Sequence, residues 1–327
     1  MIIDEPEANE DAMVARIGQL MRDKLVKDYA PAATVRDAHP KHHGLLEAQF
    51  TVLPDLPPEL RVGLFATART HRAYVRTSNA SGTPKSDAEK DLRGFAIKVL
   101  DVEGAKIPES DEPNTQDFIL LSCPTMPLGT LKLFHDAIYY SFKWSIAVFA
   151  AKLLLTGQAR VLKELAAARI LPPSPLEIRY WSTTPYQFGT DRVVKYSILP
   201  TSGAPTTLPA HPGPDYLADA MERRLALEDV TFDFAVQLRT PNMSISDSAP
   251  RWDERQSPFH TVAKLTIPRQ RFRTAERSAL AEALSFSPGH ALVEHRPVGS
   301  INRARMQIYR ANATFRQQRR GVARVHG

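Results

Sequence analysis

Four short runs between residues 46 and 123 decide the fold class: EAQFTV (47–52), RAYVRTS (72–78), GFAIKVL (94–100) and DFILL (117–121). Each run is rich in β-branched and aromatic residues and is bounded by turn-forming residues, a pattern typical of β-strands. Runs of the same kind return later in the chain as VVKYSI (193–198), VTFDFAVQLR (230–239) and TVAKLTI (261–267). The sequence therefore predicts two groups of strands.

Helices are predicted before, between and after these groups. Thr130 can cap a long helix that ends at Gly157, and Ser300 and Gly321 bound a basic helix near the end of the chain. The other predicted helices are a polar lead-in over 1–30, a second central helix over about 158–170 and one around 215–226. Groups of strands separated by groups of helices indicate the α+β class.

No shift in composition marks a domain boundary. We therefore predict an N-terminal arm over residues 1–30 and a single domain over 31–327. The chain has 327 residues, of which 43% are hydrophobic and 24% charged, which excludes wholesale disorder. Its 42 basic and 36 acidic side chains give a net charge of +6, which is compatible with an anionic ligand but does not require one.

Cysteine content and hydropathy limit the location of the protein. Cys123 is the only cysteine, which excludes intramolecular disulfides and thiolate metal clusters and favours a reducing, cytoplasmic compartment. We expect Cys123 to be a buried, unreactive thiol. The start of the chain is acidic and does not resemble a secretory signal, and no run is long enough to span a bilayer.

The most apolar stretch, 131–155, is interrupted by two lysines. Phe142, Ile146, Phe149 and Leu153 recur in it at helical spacing. This spacing favours a helix whose apolar stripe packs into the core. A helix lying on a membrane surface is the alternative, although a dense basic face does not accompany the stripe.

Common catalytic motifs are missing from the sequence. It contains no GxGxxG, P-loop, GxSxG or HExxH. The usual indications of dinucleotide, phosphate, serine-hydrolase and zinc-protease chemistry are therefore lacking.

One face of the terminal helix has a distinctive arrangement. Arg305 precedes Tyr309 by four residues and Arg316 follows it by seven, so the three share a narrow arc at about 100° per residue. An arginine one turn away favours the phenolate form of a tyrosine, and a phenolate is a known axial ligand of haem iron. The alternative is an ordinary amphipathic helix with a core tyrosine and solvated arginines.

The segment RDAHPKHHG contains Arg36, His39, His42 and His43. Three histidines this close could bind a divalent metal, although no carboxylate lies at ligand spacing. A second interpretation is a general base at a peroxide site, and a third is a polar loop with exposed histidines. His290 and His295 lie in another loop, where we expect them to form local hydrogen bonds.

Taken together, these segments resemble the haem-containing catalase superfamily. The resemblance rests on motifs in the same order as in that family: RDAHPK (36–41), YVRTSNAS (74–81), KDLRGFAIKVL (90–100), LEIRYWSTTPYQFG (176–189), LSFSPGHALVEHRPVGSINRAR (284–305) and the spacing of Arg305, Tyr309 and Arg316. It covers about residues 30–320. It implies an antiparallel β-barrel with packed helices and a haem b cofactor.

The resemblance also assigns roles to individual residues. It implies that His39 is the distal acid–base residue, that Ser78 lies near it, and that Tyr309 is the proximal iron ligand. Arg305 would hold Tyr309 as phenolate. The remaining implied haem contacts, to propionates or the porphyrin, are Arg36, Arg76 and Arg316.

The chain departs from typical catalases at two points. Only 18 residues follow Tyr309, so a C-terminal helical domain is expected to be lacking, as in the short branch that includes catalase-related peroxidases and allene oxide synthase-like enzymes. Where typical catalases carry a distal asparagine, the segment DFILLSCP of this chain has Ser122. We predict that Ser122 is the catalytic partner of His39; Asn114 is the alternative. Ala38 also precedes His39 where catalases commonly carry valine.

The resemblance therefore implies an oxidoreductase of the peroxidase or catalase type. Its substrates would be peroxide together with a small organic donor or a second hydrogen peroxide. Two alternatives stay open: an organic (lipid) hydroperoxide-converting enzyme of the allene oxide synthase type, and a non-catalytic haem-binding protein. We expect no nucleic-acid partner despite the basic C-terminal end, and association with further copies of the chain is an additional expectation.

Overall fold

A computed structural model describes residues 4–321, and its centre is a nine-stranded antiparallel sheet. The strands are β1 (His42–Val52), β2 (Thr70–Asn79), β3 (Arg93–Val99), β4 (Gln116–Leu121), β5 (Tyr180–Trp181), β6 (Tyr186–Phe188), β7 (Arg192–Pro200), β8 (Val230–Leu238) and β9 (Phe259–Ile267). The short strand β5 pairs with both β4 and β7, while β6 pairs with another part of β7. Eight strands therefore close into a barrel, with β6 as an extension.

Helices make up the rest of the regular structure. The α-helices among residues 4–321 are α1 (Glu10–Asp28), α2 (Leu131–Lys143), α3 (Ile146–Leu155), α4 (Ala159–Ala167), α5 (Tyr216–Leu225), α6 (Ala275–Ala283) and α7 (Ser300–Arg320). The predicted α+β class is thereby confirmed. No helix within this part of the chain is both long and apolar enough to cross a membrane.

The inside of the barrel is filled by aromatic side chains. The rings of Phe50 and Phe234 meet edge to face with centroids 5.1 Å apart, and those of Phe118 and Tyr196 do so at 4.9 Å. An eight-stranded barrel is just wide enough for side chains to fill. The barrel interior is therefore a packed core, and a large ligand has to bind outside it.

The outward-facing residues of β2, β3 and β4 form one wall. Side chains alternate between the two faces of a strand. Val75, Phe95 and Phe118 belong to the barrel core, whereas Ala96 and Ile119, which pair across β3 and β4, pack with an outer cluster around α6. This alternation leaves Arg76, Ser78 and Gly94 on the outer face as well.

A helical layer covers part of the barrel. Apolar side chains of α1, α2 and α7 pack together into a second core, with Val14, Ile17, Leu131, Ile138 and Ile308 among its members. Asp4 accepts a hydrogen bond from the Gly299 backbone, which joins the start of the described chain to the start of α7. The division into an arm over 1–30 and a domain over 31–327 stays a prediction, and both ends of the chain lie outside the described residues.

Two helix boundaries differ from those predicted. The helix expected between Thr130 and Gly157 is two helices, because Trp144 leaves helical geometry (φ −127°, ψ −94°) and Ser145 caps α3 by accepting from the Val148 N–H. Gly299 (φ 90°), not Ser300, occupies the cap position of α7. Thr130 and Gly321 act as predicted: Thr130 caps α2, and Gly321 ends α7 in the left-handed conformation.

Candidate functional site

A cavity lies between the outer wall of β2–β4 and α7. Its empty space, including open solvent at its mouth, is about 660 Å³. The lining combines charged groups with apolar surface and consists of Arg36, Asp37, Ala38, His39, Arg76, Ser78, Gly94, Phe95, Ala96, Ile119, Leu120, Ser285, Phe286, Tyr309, Ala313 and Arg316. Seven of the eight predicted site residues line this cavity or contact a residue that lines it.

His39 is held in the cavity wall from two sides. Its backbone has a φ of 55°, a left-handed conformation that non-glycine residues rarely adopt, and Arg76 Nη2 donates to its carbonyl oxygen at 2.9 Å. Its Nδ1 lies 2.9 Å from the Ser78 Oγ. These contacts fix both the chain and the ring of His39.

Gly94 allows this close approach. A Cβ at residue 94 would lie 2.7 Å from both His39 Nδ1 and Ser78 Oγ, which is shorter than real Cβ contacts. Glycine is therefore required at this point of β3 so that the imidazole can lie against the strand. Gly94 belongs to the KDLRGFAIKVL segment, although sequence reasoning assigned it no role.

The environment keeps the His39 imidazole neutral. Burial, followed by the positive charges of Arg76, Arg305 and Arg36, lowers the pKa of His39 to about 3. A neutral imidazole has one nitrogen that donates and one that accepts. If Nδ1–H donates to Ser78, the other ring nitrogen, Nε2, carries a free lone pair that can accept a proton.

Helix α7 supplies the opposite wall. Tyr309, Ala313 and Arg316 recur at helical spacing and all line the cavity. One turn before Tyr309, the buried Arg305 donates from Nη2 to the tyrosine hydroxyl at 3.3 Å. The resemblance-based pairing of Arg305 with Tyr309 thus corresponds to a contact in the structure.

Arg305 is itself oriented by residues that sequence reasoning missed. Its Nη1 donates to Thr184 Oγ1 at 3.2 Å and to Asn302 Oδ1 at 3.3 Å, and Thr184 donates to Asn302 at 2.9 Å. Thr184 lies within the LEIRYWSTTPYQFG motif, and Asn302 lies one helical turn before Arg305. Both residues therefore belong to segments that the sequence analysis singled out, but the sequence does not show that they contact Arg305.

Three further buried arginines cluster at the cavity. Arg36 Nη2 donates to the carbonyl oxygens of Ala281 (2.6 Å) and Leu284 (2.8 Å), and Arg316 Nη2 donates to that of Glu282 (3.3 Å). No carboxylate lies within 4.0 Å of the guanidinium nitrogens of Arg36, Arg76 or Arg316 among residues 4–321. Their positive charges are therefore only partly compensated.

This excess of positive charge is reflected in the acidity of the guanidinium groups. Burial and the neighbouring Arg76 lower the pKa of Arg36 to about 9, and burial together with Arg36 lowers that of Arg316 to about 9. Burial likewise lowers the pKa of Arg76 to about 10. The Nε atoms of all three are buried without a hydrogen-bond partner among the described residues. Unpaired buried donors of one charge are suited to a bound anion with several oxygens.

Ser122 is not placed where we predicted the distal partner to be. It follows β4, and its Oγ accepts from the Arg93 N–H at 2.9 Å, outside the cavity lining. Ser122 lies just beyond the end of β4, and its hydroxyl is engaged by the backbone of the first residue of β3. Asn114, the alternative, is exposed in a loop and is also outside the lining.

The histidines of the RDAHPKHHG segment lie in different surroundings. His43 is buried, with Nε2 2.9 Å from Asn79 Oδ1, while His39 turns to the cavity, so the cluster is not an exposed loop. No group of three side chains in residues 4–321 has the arrangement of a metal site. His290 and His295 form hydrogen bonds with Asp117 and Leu64 respectively, which lie far away in the chain and not in the local loop that we expected, while Cys123 is buried as predicted.

Three solved structures share this fold. The alignment with a fungal catalase covers 93% of this chain and 65% of the catalase chain, with a TM-score of 0.68 and 16% sequence identity. The alignment with catalase A from Saccharomyces cerevisiae covers 90% of this chain and 63% of the catalase chain, with a TM-score of 0.69 and 16% identity. The alignment with a bacterial catalase covers 90% of this chain and 59% of the catalase chain, with a TM-score of 0.64 and 17% identity. The chain thus spans less than two thirds of these catalases. Neither a protein-family model nor a curated protein matches it. The likeness establishes the predicted catalase-like barrel fold.

Proposed function

We propose that this chain is a haem-dependent oxidoreductase that acts on peroxide, with haem b in the cavity between β2–β4 and α7. One observation carries the proposal. His39 and Tyr309, which lie far apart in the chain, line the same cavity together with arginines whose Nε atoms have no hydrogen-bond partner among residues 4–321. The catalase-like fold is consistent with it.

The lining residues fit haem b in both charge and polarity. The buried guanidinium groups of Arg36, Arg76 and Arg316 would pair with its two carboxylates, which supply the acceptors that the three Nε atoms lack. Ala96, Ile119 and Phe286 provide apolar surface for the porphyrin. The Tyr309 hydroxyl, which Arg305 contacts at 3.3 Å, would hold the iron.

The chemistry divides between the cofactor and the chain. When bound, the haem supplies the redox centre at which the O–O bond of a peroxide is cleaved and an organic donor is oxidised. His39, neutral at physiological pH, takes a proton from one peroxide oxygen through Nε2 and returns it to the departing oxygen. Ser78 holds the ring for both transfers, and Arg305 stabilises negative charge on Tyr309.

An organic hydroperoxide is the second candidate substrate. It is favoured by the apolar side chains of Ala38 and Leu120, which line the cavity together with His39. Neither Ser122 nor Asn114 offers a polar partner there. Such a surface accommodates an apolar substituent better than a second hydrogen peroxide.

Peroxide-driven oxidation of a small phenolic donor by the hemin-reconstituted protein tests the proposal. His39→Ala should lower the rate about 10²-fold or more, since general acid–base catalysis contributes about 10²–10⁴-fold, while hemin stays bound. His260→Ala, on the exposed side of β9, is the matched control and should keep the rate. Equal rates in wild type and His39→Ala would refute the role of His39. Bound hemin without any oxidation would indicate a non-catalytic haem protein.

A further inference from the structure

The solvent-facing side of α3 is apolar. Within this ten-residue helix, Phe149 and Leu153 are buried and face the protein, as the predicted core stripe requires, but the other two members of that stripe, Phe142 and Ile146, are exposed, so the stripe was only half right. The opposite side exposes Ala147, Val148, Ala151, Leu154 and Leu155, with Leu155 88% exposed. A helix that is apolar on all sides is normally buried.

The apolar side of α3 continues into its N-terminal approach. Trp144, which lies between α2 and α3, is 70% exposed, and Ile146, the first residue of α3, is 71% exposed. Phe142, Val148, Leu154 and Leu155 are exposed as well, and we call these six residues, all within 142–155, the α3 patch. Contiguous exposed apolar surface on a protein commonly marks an interaction site.

Positive charge surrounds the α3 patch. Residues 131–167 contain five lysines and arginines against two carboxylates, and no carboxylate occurs between residues 137 and 163. Both carboxylates are paired: Asp136 with Lys132 of α2 at 3.4 Å, and Glu164 with Arg160 of α4 at 2.5 Å. Lys143 and Lys163 are exposed and hold no ion pair among the described residues.

We infer that the α3 patch docks the protein onto an anionic lipid bilayer. An exposed tryptophan beside an apolar helix, bordered by basic residues, is the combination that anchors proteins at the boundary of acyl chains and headgroups. With ten residues α3 lies on the bilayer rather than through it, in line with the lack of a membrane-spanning helix in residues 4–321. This inference does not depend on haem binding or on peroxide chemistry.

A second copy of the chain fits the α3 patch less well. Two copies related by a two-fold axis through the patch would bring the same surface together. Lys143 and Lys163, the exposed lysines without an ion pair among the described residues, would then approach those of the other copy, and like charges would oppose association. An anionic surface instead attracts each of them, by about fivefold in affinity per basic residue.

Co-sedimentation of the full chain with phosphatidylcholine vesicles containing about 30% phosphatidylserine tests the inference. Leu155→Asp should weaken binding about tenfold or more, because it removes an apolar side chain that would insert into the bilayer and adds a negative charge that the anionic headgroups repel. Leu227→Asp is the matched control: Leu227 is 77% exposed but lies after α5, outside the patch, and this variant should bind as wild type. Binding of wild type should also fall with added salt, which screens charges.

Three results would overturn the inference. Wild type could stay in the supernatant, or Leu155→Asp and Leu227→Asp could weaken binding equally. Alternatively, wild type could form a concentration-dependent dimer that Leu155→Asp abolishes, without vesicle binding, which would identify a second copy as the occupant. Hemin titration of Leu155→Asp should match wild type, so a failure here is distinct from a failure of the proposed function.

Discussion

The Nδ1 of His39 lies 2.9 Å from the Oγ of Ser78, and the two groups meet directly above the backbone of Gly94. Ser78 and Gly94 pair across β2 and β3, so the position of the ring is set by the register of the barrel wall. A loop residue is thereby fixed by a rigid sheet, which is the arrangement that a general base requires.

Gly94→Ala should displace His39. The new Cβ would lie 2.7 Å from both His39 Nδ1 and Ser78 Oγ, so the ring has to leave its place. We expect peroxide-driven donor oxidation to fall about 10²-fold, comparable with loss of the base itself. Gly213→Ala, where a Cβ would meet no atom within 4 Å, is the control in the same steady-state assay. A fully active Gly94→Ala protein would show that the His39–Ser78 contact is dispensable.

The rate of the peroxide reaction should be nearly independent of pH between about 5 and 8. Burial and the neighbouring arginines lower the pKa of His39 to about 3, and the reactive form is the neutral one that persists above this pKa. The rate is therefore expected to decline only as the pH falls towards 3. Stopped-flow rates measured across this range would reveal a midpoint near 6.5 if His39 were instead solvated.

Arg305→Met should weaken hemin binding about tenfold. It removes the bond from Nη2 to the Tyr309 hydroxyl, and a hydrogen bond to a charged group contributes about 1.5–3 kcal/mol. Arg310→Met is the matched control, because Arg310 lies on the same helix with its side chain 57% exposed. Hemin titration of both variants gives the comparison. Equal affinities for the two would mean that the contact with Tyr309 does not contribute to binding.

Arg316→Met should separate hemin affinity from stability. The guanidinium of Arg316 is buried near Arg36 without a carboxylate partner, and both factors lower its pKa to about 9. Because no carboxylate among residues 4–321 pairs with Arg316, its removal should leave the Tm of the haem-free protein unchanged or higher, while hemin affinity falls about tenfold. In contrast, Arg319 on α7 donates to Thr34 and to the Tyr29 carbonyl, so Arg319→Met should lower the Tm by about 2–4 °C and spare affinity. A lowered Tm with unchanged affinity for Arg316→Met would contradict a cofactor-binding role.

The strands and most helices could be predicted because their signals are local. Runs such as GFAIKVL and VTFDFAVQL carry the β-branched and aromatic pattern themselves. The division between α2 and α3 was missed because residues 131–155 have continuous helical character. Ser145, which caps α3, looks like any other polar residue within such a pattern.

The residues of the candidate site could be predicted from the sequence only in part. The spacing of Arg305, Tyr309 and Arg316 on one helix and the RDAHPK segment identified residues that the fold brings to one cavity. The role of Ser122 stays a prediction; its Oγ lies outside the cavity lining and accepts from the Arg93 N–H, a contact that an alignment of letters does not reveal. The charge excess among Arg36, Arg76 and Arg316 depends on contacts between segments far apart in the chain, which no local pattern reveals.

The most direct test of the account is an absorption titration with hemin, recorded in the ferric state and again after dithionite, for wild type and Tyr309→Phe. Tyr140→Phe, on α2 and outside the cavity lining, serves as the control. The account predicts stoichiometric binding with a ferric high-spin spectrum that resists reduction in wild type and in Tyr140→Phe, and loss of that spectrum in Tyr309→Phe. A wild-type protein that takes up no hemin, or a Tyr309→Phe spectrum identical to that of wild type, would contradict it.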